Sequence, residues 1–275
     1  MGTRPSFERR SLVASEGAAC VFDRLLCGVD GTQEGLEAVR QASRLRAQDG
    51  TLAVVSAVDL ALAVHAGWAG TPVAAEIAED AERALAAARQ QAHEAVLRSI
   101  KGRPVGVLLA ESRRMQATLL AVGTHGHGRA AGIALGGVAT TMVHEAPCSV
   151  LVARAPAVPA EFPQSIVVGV DGSPESAIAA AVAFGLGERF RAEVWPVAST
   201  RGKEIDLDAV NSVATGVVVD DRPPVDMLTT ASSDSDLLVV GSRGLHGVRA
   251  LGSVSERVAH QARCSVLVVR PPAGS

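Results

Sequence analysis

The chain states the same pattern twice. Residues 25–31 read LLCGVDG and residues 166–172 read IVVGVDG. Residues 119–126 read LLAVGTHG and residues 237–244 read LLVVGSRG. CSVLV occurs at 148–152 and again at 264–268. Three landmarks in the same order mark an internal duplication, and its spacing is far wider than the 20–50 residues of a solenoid repeat. Each copy is therefore a domain-sized unit, and 275 residues accommodate two of ordinary size.

Within each copy, apolar runs alternate with helix-like stretches. RLLCGVD is a buried parallel-type strand, and the segment beginning TQEGLEAVRQASRL follows with Leu36, Val39, Ala42 and Leu45 near helical spacing. TLAVVSAV reads as a second strand, and the Ala/Glu/Gln/Arg-rich stretch from Pro72 to Gly102 as one long helix. PVGVLLA then reads as the third strand, TLLAVG as the fourth, GVATTMVHEA as a helix and CSVLVAR as the fifth strand. The second copy repeats the order with SIVVGVD, a helix over about 174–189, AEVWPVA, TGVVV, DLLVVG, SVSERVAHQA and CSVLVVR. On this reading the second copy lacks the long helix, and the first has only ESRRMQA between its third and fourth strands. Strands alternating with helices predict two tandem α/β domains of Rossmann-like type, each a five-stranded parallel sheet with flanking helices, the second shortened. The expected boundaries are a disordered tail at 1–20, a first domain at 21–154, a Pro-rich linker at 155–164 and a second domain at 165–271.

Composition narrows the partners. A net charge of -3 argues against nucleic acid, and 3% aromatics with no tyrosine leave no stacking platform for single strands. No run of about 18 uncharged apolar residues is present, so no membrane span is expected. Glu8, Arg9, Arg10 and Glu16 interrupt the apolar stretch a secretory signal needs. Cysteines in apolar strand-like runs read as buried thiols in a reducing cytoplasm. The uncharged last strands, if left at sheet edges, would pair with other chains. Pairing with each other solves this and makes the chain an internal pseudo-dimer, with a further homodimer left open.

The chemistry lies in two elements present in both copies. One is an Asp closing the first strand, and the other is a glycine-rich bend after the fourth strand, leading into a helix. The first copy offers Gly28, Val29 and Asp30, then Gly123, Thr124, His125 and Gly126, then Gly136, Gly137 and Val138. The second offers Gly169, Val170 and Asp171, then Gly241, Ser242, Arg243 and Gly244, then Gly252, Ser253 and Val254. Glycines let backbone N–H groups approach phosphate, and the following helix N-terminus adds open donors. If the first and fourth strands are neighbours where strand order reverses, both elements face one crevice. His125 and His127 lack accompanying ligands at metal spacing, so no metal site is assigned to them. No base or oxyanion partner accompanies Ser173 or Ser253, so no catalytic residue is assigned and hydrolysis is left open.

This combination resembles the universal stress protein (UspA-like) family, in its tandem-domain form, over roughly 22–154 and 164–271. The GVDG starts, the VGTHG and VGSRG turns, and the GGVATTMVHEAPCSVLVAR and GSVSERVAHQARCSVLVVR endings carry the resemblance. It implies an adenine nucleotide alpha hydrolase-like fold, pairing through the last strand, and a stress-response or regulatory role. In the nucleotide-binding branch, Gly-x2-Gly-x9-Gly-Ser/Thr cradles ATP, the first-strand Asp lies near ribose and Mg2+, and the end of the second strand lines the adenine. That places Val58, and Ser199 in the second copy, at the adenine end. Neither copy matches the pattern fully. The first keeps nine residues between Gly126 and Gly136 but has Gly137 where a hydroxyl belongs; the second keeps Gly252-Ser253 with only seven intervening residues. The first copy is favoured as the ATP site. The alternatives are a nucleotide-independent interaction protein with degenerate loops, and a slow ATPase.

Overall fold

A computed structural model describes residues 22–60, 72–125, 135–155, 161–201, 206–242 and 253–271. The first half runs β1 (Phe22–Gly28), α1 (Gln33–Leu45), β2 (Arg46–Val58), α2 (Pro72–Gln91), β3 (Val96–Lys101), α3 (Pro104–Arg114), β4 (Leu119–Gly123), α4 (Gly137–Glu145) and β5 (Ser149–Ala153). The second runs β6 (Ser165–Gly169), α5 (Pro174–Phe190), β7 (Glu193–Ser199), α6 (Leu207–Val213), β8 (Val218–Asp220), α7 (Pro224–Ala231), β9 (Leu237–Gly241), α8 (Ser253–Gln261) and β10 (Ser265–Val269).

All ten strands form one sheet in the order β3-β2-β1-β4-β5-β10-β9-β6-β7-β8. Each half is parallel throughout, and the halves meet at the antiparallel β5–β10 pair, where Val152, Leu151 and Val150 face Val266, Leu267 and Val268. The seam is fully buried, and this explains its lack of charge: each last strand removes the other's open edge. One core layer lies on each face of the sheet, and both layers contain residues of both halves, so neither half owns a separate core.

Local chemistry explains the elements. Thr32 and Ser173 cap α1 and α5, their hydroxyls accepting from the N–H of Gly35 and Ser176. Pro104, Pro174 and Pro224 open their helices, where a missing N–H costs nothing. In α2 the buried positions Ala81, Ala84, Leu85 and Ala88 recur at helical spacing against the sheet. Pro196 is tolerated inside β7 because β8 pairs only with residues 197–199, leaving the flank at 196 without a ladder to break.

Two expectations are corrected here. The long helix ends at Gln91, and 96–101 form β3, paired in parallel with Ala53–Val58. PVGVLLA is not a strand but the body of α3, with Val107, Leu108 and Leu109 buried against the sheet. The crossover between the third and fourth strands of the first half therefore carries a full helix, and ESRRMQA is only its end. The second half replaces α2 by the seven-residue α6. The described end of the linker segment is packed rather than extended into solvent: Phe162 is buried, and its carbonyl accepts from Arg44 of α1. The tail at 1–20 lies outside the described residues.

Candidate functional site

In each half the strand order reverses between the first and fourth strands, which is where ligands bind in open parallel sheets. Leu25, Leu26 and Cys27 of β1 lie beside Leu119, Leu120 and Ala121 of β4, so Asp30 and the bend after Gly123 leave the sheet side by side.

Asp30 and Asp171 build the same small turn. Asp30 Oδ1 accepts from the N–H of Thr32 at 3.0 Å and from its hydroxyl at 2.6 Å. Asp171 Oδ1 accepts from the N–H of Ser173 at 3.0 Å and from its hydroxyl at 2.5 Å. Gly31 and Gly172 adopt φ of 87° and 79°, which a side chain would resist. Each carboxylate thus fixes the cap of the next helix. The Thr32 hydroxyl also lies 3.5 Å from the carbonyl oxygen of His125, which links the first-strand turn to the β4 bend. Thr32 and Ser173 were missed as site residues by sequence reasoning; the shared Asp-Gly-Thr and Asp-Gly-Ser triplets were the signal.

Gly123 and Gly241 are required by contact. A Cβ on Gly123 would stand 2.7 Å from the Glu34 carbonyl carbon and 2.8 Å from the Gly35 nitrogen. On Gly241 it would stand 2.6 Å from the Glu175 oxygen. The start of the helix after the first strand, α1 or α5, therefore rests directly on the end of the fourth strand.

In the first half, the N–H of Gly136 donates to the Thr124 carbonyl at 2.7 Å, which closes the neck of the bend at the entrance to α4. Gly136 occupies the N-cap and offers no side chain, so among the described residues no side chain caps the first N–H groups of α4. Gly137 is exposed, and a Cβ there would meet no heavy atom within 4 Å among the described residues. Val58 is buried at the end of β2, Val29 is buried with its N–H bonded to Val55, and Gly28 packs under Leu108. Val138 packs partly into the core.

The second half differs at the equivalent places. The Ser199 hydroxyl donates to the Arg222 carbonyl at 2.6 Å and accepts from the Arg201 N–H at 3.1 Å, so it is engaged by the half's own loops. Ser242 is buried, its N–H bonds Val269, and its hydroxyl has no partner among the described residues. Val170 is buried with its N–H bonded to Val197; Gly169 packs against Leu228, and Val254 lies partly in the core. Gly126, Arg243, Gly244 and Gly252, with the side chain of Ser253, lie outside the described residues.

Burial also shapes the thiols. Cys27, Cys148 and Cys264 are free and buried. Burial, with Asp30 adding to it, pushes the Cys27 thiol well above its ordinary range. Burial likewise pushes Cys148 and Cys264 up to about 12. A cavity of about 620 Å3 opens elsewhere, between α2 and β3, and touches neither Asp30 nor Gly136. Among the described residues no helix is long and apolar enough to cross a membrane.

The fold and crevice define a tandem α/β protein of doubly wound halves. A model of the universal stress protein family matches residues 22–154 and 199–270. The chain belongs to that family. A universal stress protein of Mycobacterium tuberculosis is 32% identical over 184 residues, which span 56% of this chain and 62% of that protein, under two thirds of its length. A second from the same organism is 28% identical over 304 residues, spanning 90% of this chain and 95% of the relative. Among solved structures, a universal stress protein from Archaeoglobus fulgidus superposes with a TM-score of 0.70 at 18% identity, covering 92% of this chain and 97% of that one. A functionally unknown protein from Pseudomonas aeruginosa gives 0.66 at 14% identity, with 92% and 94% covered. These two likenesses show the shared fold.

Proposed function

We propose that the first half holds an adenine nucleotide, ATP, and that the chain acts as a regulatory stress-response protein of the cytoplasm. The observation that carries this reading is the bond from Gly136 to Thr124, which brings the start of α4, with no side-chain cap among the described residues, to the end of β4 that the Asp30–Thr32 turn reaches through His125. Backbone donors at Gly137 and Val138 would face phosphate oxygens, and the helix end supplies a favourable potential for them. Asp30 would stand near the ribose and any accompanying Mg2+, and Val58 would line the base. The fit is to binding: Asp30 spends one carboxylate oxygen on Thr32, and no residue of the crevice is assigned as a general base.

The second half is proposed as the structural partner. Its Ser199 hydroxyl is already engaged at the position where a base would sit, and its loop is two residues shorter. Equilibrium dialysis of the full chain against labelled ATP tests the reading. Uptake of about one ATP per chain is expected; no uptake at millimolar ligand leaves a nucleotide-independent interaction protein in its place.

A further inference from the structure

The neck of the first half's bend is held from both halves. Gly136 bonds Thr124 within the first half. The preceding residue, Leu135, is 4% exposed and donates its N–H to Nδ1 of His260 at 3.2 Å. His260 belongs to the last turn of α8, in the second half. α4 itself is joined to α8 by His144, the repeat equivalent of His260, whose Nε2 lies 3.1 Å from Glu256 Oε1. For His260 to accept at Nδ1, its ring proton must sit on Nε2. Among the described residues no other acceptor takes that N–H, and a buried donor without an acceptor is costly.

We propose that His260 is a positioning residue through which the second half sets the start of α4 in the first. This rests on the reading that the first half holds ATP. The imidazole acts through Leu135 rather than as a ligand to phosphate. It fixes the residue immediately before the N-cap, and so fixes where the N–H groups of Gly137 and Val138 point. Loss of the acceptor releases that residue from α8 while the rest of α4 stays packed in the core.

The test is ATP affinity by calorimetry on the full chain, together with hydrogen exchange at the Leu135 amide, for wild type, His260→Leu and His260→Asn. The amide oxygen of asparagine can take over as acceptor; leucine cannot. His260→Leu should lose protection at Leu135 and bind ATP about tenfold more weakly, whereas His260→Asn should stay within about threefold of wild type. If the leucine variant does not fold, His260→Ala removes the acceptor with less crowding and carries the same expectation. Equal affinity in wild type and the leucine or alanine variant overturns the inference and leaves the nucleotide reading standing. Equal weakening by asparagine and leucine also overturns it, because the hydrogen bond is then not the cause. Absence of ATP binding in wild type is a different outcome, and it removes the nucleotide reading itself.

Discussion

Replacing Arg270 by leucine is expected to destabilise the whole chain by about 2–4 kcal/mol. Arg270 follows β10, is 7% exposed, and crosses the seam. Its guanidinium donates to the carbonyls of Val143 at 2.5 Å, His144 at 3.3 Å and Cys148 at 3.0 Å, which lie at the end of α4 and just beyond it. Its own N–H bonds the Ser149 hydroxyl. Arg154, the equivalent residue after β5, returns the contact by donating to Ala259 and Cys264 of the second half. Each half thus caps the last helix of the other with a cation placed at the negative end of its dipole. Removing one guanidinium leaves about three carbonyls short of a donor, at roughly 1–3 kcal/mol each. The total is reduced because burial already disfavours the charge, holding Arg270 below its ordinary range and bringing Arg154 down to about 10. Guanidinium chloride unfolding checks this. Arg270→Leu should lower the midpoint clearly, and adding Arg154→Leu should be non-additive, since both act on one interface. A midpoint unchanged by Arg270→Leu would mean that the reciprocal clamp contributes nothing.

The second large effect is expected at Gly123. Gly123→Ala places a methyl group against the backbone of Glu34 and Gly35, not against the movable end of a side chain. The α1 start must then lift from β4, at a cost of about 1–3 kcal/mol or more. Gly241→Ala should behave alike, because the Glu175 backbone stands in the same relation to it. Gly137→Ala is the control: the site is open and helical, so the change should be neutral or stabilising by about 0.4–1 kcal/mol. Thermal unfolding of the three variants checks the order. Equal behaviour of Gly123→Ala and Gly137→Ala would contradict the close approach of helix and strand.

Much of this architecture was legible in the residues. The repeated LLCGVDG and CSVLV landmarks located the first and last strands of both halves, and the uncharged runs at 148–152 and 264–268 pointed to their mutual pairing. The errors came where tertiary pairing overrides local pattern. VLRSIK continues an alanine-rich helical stretch, lies at a sheet edge and is half exposed, so its strand character comes from the ladder with β2. PVGVLLA is short and apolar, and such a run reads equally as strand or helix; Pro104 at the first helical position was the available cue. In the crevice, the glycines and both aspartates could be named in advance. The hydroxyl turns at Thr32 and Ser173, and the reach of His260 across the seam, depend on distances that no spacing encodes.

Where a nucleotide attaches to the chain decides between the two halves. Photo-crosslinking the full chain with 8-azido-ATP, followed by peptide mapping, reads this out. The expected adduct lies in the first half, in the peptide containing Val58, and is suppressed by excess ATP. Labelling confined to residues 165–271, or labelling that ATP does not compete away, would contradict the assignment of the crevice beside Asp30 and Gly136.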